Sequence, residues 1–177
     1  MKKIIISGFG GQGVLSLGKF IALSALSQDL NTSWMPSYGP EMRGGTANCS
    51  VIYGDGEIAA PVIDHPDVLI ALNEPSLDKF GPNVVKDGII IVNSNIVNKP
   101  VERKDVRVYK IPVDELAFKI NKRGGNIITL GVLIQLLGDL KADCAEKAIR
   151  EVFAEKPQFV EPNIECLRQG MAFAAKL

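Results

Sequence analysis

At 177 residues, 46% hydrophobic and 23% charged, the chain is long enough for one domain with a true core and is globular in composition. Twenty Lys and Arg balance twenty Asp and Glu. That excludes a net field drawing in nucleic acid or an anionic membrane, and it leaves self-association of the isolated chain into a homodimer open. Three cysteines, Cys49, Cys144 and Cys166, lie far apart with no C-x-x-C, which excludes a cluster or zinc site built from these thiols and fits a reducing cytoplasm.

In chain order, the apolar run at 4–6 is far too short for a secretory core or a membrane span and reads as a buried first strand. A glycine-rich turn follows, then helical spacing over 14–26, with Val14, Leu17, Gly18, Ile21, Ala22 and Ala25 on one face. An extended segment at 32–35 is expected to stop at Pro36. Segments 46–52 and 57–59 flank Tyr53-Gly54-Asp55-Gly56, which reads as a hairpin on Asp-Gly. Continuous apolar runs at 68–72 and 89–92 predict strands covered on both faces, joined by a short helix at 76–85 broken near Gly81-Pro82. A last strand at 106–111 and a short helix at 113–121 complete the α/β part.

From there only helices are expected. Residues 126–137 are apolar nearly all round, so that helix is buried in this domain or against a partner. Asp143 with Glu146 resembles a capping box for a helix running to Phe153, and Pro157 and Pro162 bracket a loop before a final helix at 163–175. The reading is a three-layer α/β domain over 1–177, with a mostly parallel sheet, a β-hairpin insertion and a helical C-terminal part.

Two stretches carry chemistry. Gly8-Phe9-Gly10-Gly11-Gln12-Gly13 matches G-x-G-x-x-G between a predicted strand and helix. Glycines there permit a tight turn, and the helix N-terminus offers unpaired N–H groups to an anion. A dinucleotide site also needs an acid ending the second strand, and residues 30–40 contain none. A plain tight βα turn and an anion held without a full dinucleotide both stay open. The second stretch is Ser37-Tyr38-Gly39-Pro40-Glu41-Met42-Arg43-Gly44-Gly45. It leaves a strand's carboxyl end, where ligands bind in open α/β sheets, and an arginine followed by two glycines suits an anion. The alternative is a rigid connector in which Arg43 pairs with Glu41. Gly54-Asp55-Gly56 imitates the start of a thiamine-diphosphate motif but lacks its following helix, and the lone His65 reads as a turn residue.

Together the two motifs closely resemble the gamma subunit, or gamma domain, of 2-oxoacid:ferredoxin oxidoreductases, and Asn126-Ile127-Ile128-Thr129-Leu130-Gly131 is also similar to that family. Indolepyruvate oxidoreductases share the domain. The resemblance implies a non-catalytic Rossmann-like subunit, inactive alone. Thiamine diphosphate, Mg and iron–sulfur clusters would sit on thiamine-binding and ferredoxin-like partner subunits, with loops of this chain near the substrate or coenzyme A entrance. Gly10, Gly11, Gln12 and Gly13 are the expected anion contacts, with Tyr38, Glu41, Arg43, Gly44 and Gly45 facing a ligand or partner. An independent dinucleotide-dependent oxidoreductase and a purely structural assembly subunit are the alternatives.

Overall fold

The computed structural model describes residues 1–38 and 46–177, Tyr38 by its backbone alone. The β-branched run Ile4, Ile5, Ile6 lies in β1 (Lys2–Phe9), which leads through the glycine turn into α1 (Val14–Leu26). Then come β2 (Asn31–Tyr38), β3 (Thr46–Gly54), β4 (Val68–Ala71), α2 (Glu74–Phe80), β5 (Ile89–Asn93) and β6 (Arg107–Ile111). Four helices close the chain: α3 (Val113–Phe118), α4 (Gly125–Leu137), α5 (Ala142–Val152) and α6 (Val160–Ala174).

The strands form one sheet in the order β2-β3-β1-β4-β5-β6. Strands β1, β4, β5 and β6 run parallel, and β3 runs antiparallel between β1 and β2. Alternate residues of the central strands sort the core into two layers. Ile4, Ile6, Val51, Val68, Ile70, Ile89 and Ile91 face α1 and the four C-terminal helices. Ile5, Ile52, Leu69, Ile90 and Val92 face a much thinner cover of α2 and connecting chain, with Ile63, Leu77, Val84 and Val97. Burial on both faces accounts for the unbroken apolar runs in β4 and β5.

Four local expectations are corrected. The antiparallel pair is β2–β3; residues 57–60 form no strand, so the Asp55-Gly56 turn does not return into the sheet. Strand β2 continues through Pro36, paired in register with Cys49, because it is an edge strand and an edge tolerates a missing N–H. Helix α5 begins before Asp143 with no side-chain cap; Asp143 accepts only the N–H of Cys144 (2.9 Å), and Glu146 instead takes Arg168 Nη2 (3.0 Å). Pro162 lies inside the first turn of α6, where its absent N–H has no acceptor to lose, and Pro157 opens a short 3-10 turn (Pro157–Phe159).

The all-apolar helix finds its burial within this chain. Between Ile127 and Ile134 every residue of α4 is buried, chiefly against α1, α3 and α6. Gly131 and Gly170 let the α4 and α6 backbones touch: a Cβ on Gly131 would lie 2.1 Å from Leu167 O, and one on Gly170 2.1 Å from Ile128 O. Among the described residues no helix is long and apolar enough to cross a membrane.

Candidate functional site

The glycine turn sits at the carboxyl end of β1, where ligand crevices form in such sheets. Helix α1 leaves β1 toward the thick face and α2 leaves β4 toward the thin one, so the chain parts there. Gln12 holds the turn closed: its Oε1 accepts the Phe9 N–H (2.6 Å), and its Nε2 donates to Leu72 O at the end of β4 (2.9 Å). The Gln12 side chain is thus engaged in shaping the turn. Gly13 enters the helix at φ 75°, ψ 22°, a left-handed backbone suited to glycine. It gives α1 no side-chain cap, and the first turn carries no acid. The first-turn N–H groups have no intrahelical acceptor, and the helix dipole adds positive potential there.

An open cleft of about 540 Å³, lined by Phe9, Gly10, Gly11, Val14, Ser16 and Ala47, faces this helix end. On the other side of the turn, Gly11–Gly13 meet Asp114, Lys122, Arg123 and Asn126 around a hollow of about 240 Å³. The Asn126 side chain packs so closely on the turn that a Cβ on Gly13 would come 3.0 Å from it. Asp114 is held by Asn93 Nδ2 (2.9 Å), and Lys122 Nζ lies 4.8 Å above the Phe118 ring centroid. Sequence reading missed Lys122, Arg123 and Asn126 as neighbours of the turn. The signal was present, since Arg123-Gly124-Gly125 repeats the Arg-Gly-Gly pattern of Arg43-Gly44-Gly45.

Gly10, Gly11, Gln12 and Gly13 therefore converge on one rim. Glu41, Arg43, Gly44 and Gly45 lie outside the described residues, as does the Tyr38 side chain; the flanking β2 and β3 pair up to Tyr38 and Ala47. Behind the turn a buried polar group bridges β1 and α2: the Ser7 and Ser76 hydroxyls are 2.8 Å apart, and Asn73 Oδ1 accepts Ser76 N–H. Cys49 and Cys166 are buried free thiols and Cys144 is half-buried. Among the described residues, no three His, Cys, Asp or Glu gather as metal ligands. His65 rests in a turn with Nδ1 3.2 Å from Asn83 O.

A family model described as pyruvate ferredoxin/flavodoxin oxidoreductase matches residues 3–173. The chain is 40% identical, over 97% of its length, to the ketoisovalerate oxidoreductase subunit VorA of Methanothermobacter thermautotrophicus, of which it spans 36%. It is 31% identical to the 2-oxoglutarate synthase subunit KorC of Methanocaldococcus jannaschii, spanning 95% of that protein. The gamma subunit of a keto/oxoacid ferredoxin oxidoreductase from Geobacter sulfurreducens has the same fold, with a TM-score of 0.84 at 29% identity and both chains covered in full. The fold also recurs in a 2-oxoglutarate:ferredoxin oxidoreductase from Magnetococcus marinus, solved with 2-oxoglutarate, coenzyme A and succinyl-CoA bound. There the TM-score is 0.91 at 23% identity, over 99% of this chain and 31% of that one.

Proposed function

The chain belongs to the pyruvate ferredoxin/flavodoxin oxidoreductase family, and from that premise we propose that residues 1–177 act as one gamma-type domain, the non-catalytic subunit of a 2-oxoacid:ferredoxin oxidoreductase. In this reading the complex oxidatively decarboxylates a 2-oxo acid and passes electrons to ferredoxin. Thiamine diphosphate, Mg and iron–sulfur clusters belong to thiamine-binding and ferredoxin-like partners, in a cytoplasmic setting. KorC-type relatives are chains of this size, whereas VorA-type relatives carry the matching region within a longer polypeptide.

The chain's own task is to hold the anionic part of coenzyme A. One observation carries this: the uncapped, acid-free start of α1 opens onto the 540 Å³ cleft. That donor set fits a diphosphate, since unpaired N–H groups and a helix dipole favour an anion without a side-chain charge. Coenzyme A supplies the thiol that takes the acyl group; Gly10, Gly11 and Gly13 orient its anionic part, and Gln12 keeps the turn in shape. Tyr38, Glu41, Arg43, Gly44 and Gly45 are the further residues proposed to meet ligand or partner.

The test is reconstitution with the thiamine- and cluster-bearing partners. The chain is expected to co-elute with them on a sizing column, and its omission to abolish coenzyme A-dependent oxidation of 2-oxo acids. Alone it should be colourless and inactive. Partners that retain full coenzyme A-dependent turnover without it would overturn the reading.

A further inference from the structure

The sheet ends in two edge strands, β2 and β6, and the two edges differ. Along β2, backbone alternation decides which groups point outward. Lys3 O takes the Asp67 N–H (2.9 Å) and Ser7 O the Leu72 N–H (2.9 Å), so Lys3, Ile5 and Ser7 turn their backbone groups to β4 and Ile6 turns its own to β3. Ile6 and Cys49 are thus a hydrogen-bonded pair, and the next pair across, Cys49 with Pro36, is not. Pro36 therefore stands on the outer side, where its missing N–H interrupts the row of donors and blunts the edge.

Strand β6 carries no such block. The Arg107 N–H meets Gly88 O (2.8 Å) and Ile111 O takes the Ser94 N–H (2.8 Å), so Arg107, Tyr109 and Ile111 turn their backbone groups to β5. Val108 and Lys110 hold theirs outward, and among the described residues no backbone group of a turn or loop meets them. The side chain of Val108 packs on the thin-face core and that of Tyr109 on the thick-face core. An open groove of about 490 Å³ follows this edge, lined by Pro100, Val101, Val108, Tyr109, Lys110 and Leu177.

We propose that the β6 edge is the interface between two copies of this chain, paired antiparallel about a twofold axis through Tyr109, so that two six-stranded sheets become one. Outward groups on alternate residues require the axis to pass through a residue, and through Tyr109 the strand overlaps its copy in full. Val108 and Lys110 of one copy then exchange N–H···O bonds with Lys110 and Val108 of the other. Tyr109 meets Tyr109 at a non-hydrogen-bonded pair, where side chains come closest. Arg107 meets Ile111 and Lys110 meets Val108, so no charge faces its like. The edge is self-complementary, and with twenty acids balancing twenty bases the chain has no net charge to oppose its own copy. The pairing asks nothing of the glycine turn, so its failure leaves the coenzyme A reading untouched.

Sedimentation equilibrium and amide hydrogen exchange of the 177-residue chain test it. Wild type is expected to be a dimer in which the Val108 and Lys110 amides are protected, and to lose that protection on dilution. Val108→Pro removes one donor from each copy, as Pro36 does on the opposite edge, and should weaken the dimer at least about tenfold. Tyr109→Lys sets two like charges on the axis and should sediment as a monomer; mixed with Tyr109→Glu it should form a dimer again. Circular dichroism checks that each variant folds, and where one does not, exchange in the wild type decides. A monomeric wild type with fast-exchanging Val108 and Lys110 amides overturns the proposal, as does a dimer unaffected by either substitution. Protection that appears only when thiamine- and cluster-bearing partners are added overturns self-pairing and assigns the edge to a partner strand.

Discussion

Cys49 shows how a single buried side chain sets a pH limit. It is fully enclosed beneath α1, its Sγ 3.5 Å from Val14 O, and burial pushes its thiol up from 9.0 to about 12. Burial likewise raises Cys166 to about 11. In the unfolded chain these thiols ionise at their ordinary value, so the stability they confer is complete below about pH 9 and is lost as pH rises toward 11–12. Urea unfolding between about pH 8 and 10.5 should show stability falling at up to about 1.4 kcal/mol per pH unit for each such group. Cys49→Ala should flatten that slope by about one group's share, and an unchanged slope would refute the account. The sequence showed Cys49 only as one of three scattered thiols with no C-x-x-C. Its neighbours came from a pairing partner that the expected Asp55-Gly56 hairpin did not supply.

Among the elements, the α4–α6 pair carries the sharpest structural requirement. A Cβ added at Gly131 would stand 2.1 Å from a backbone carbonyl oxygen, so Gly131→Ala cannot be relieved by a rotamer change. It should cost about 3 kcal/mol or more in denaturant unfolding. Gly138→Ala is the control: φ is 68° but nothing lies within 4 Å, so only backbone strain of about 1–2 kcal/mol applies. Equal costs would mean the helices can part without penalty. Sequence periodicity made α1, α4 and the parallel strands legible, because each repeats one pattern over enough residues to exclude the other. The same reading lost β2 at Pro36 and placed the hairpin one strand late. Edge position decides whether proline is tolerated, and edge position is a property of the assembled sheet. The glycine turn was legible as a site because its spacing and its flanking elements coincide. The open side of β6 was not, since strand order exists only once the sheet has assembled.

At the scale of the whole molecule, strand order decides against a dinucleotide. The two neighbours of β1 are β3, running the opposite way, and β4. The segment after α1 therefore never lies beside β1, where an acid could reach a ribose. The acid following β4, Glu74, accepts the N–H groups of Asn98 (3.0 Å) and Lys99 (3.2 Å). NAD should consequently bind at least about tenfold more weakly than coenzyme A in calorimetric titration of the chain, and low-micromolar NAD affinity would restore the dehydrogenase alternative. Gly131 and Gly170 have a mechanical side as well. Each sits in a notch against the other helix's backbone, where an added Cβ would lie 2.1 Å from a facing carbonyl oxygen. A slide of α4 along α6 by one residue's rise, about 1.5 Å, takes both glycines out of those notches. The two helices are keyed against sliding like a shaft and collar.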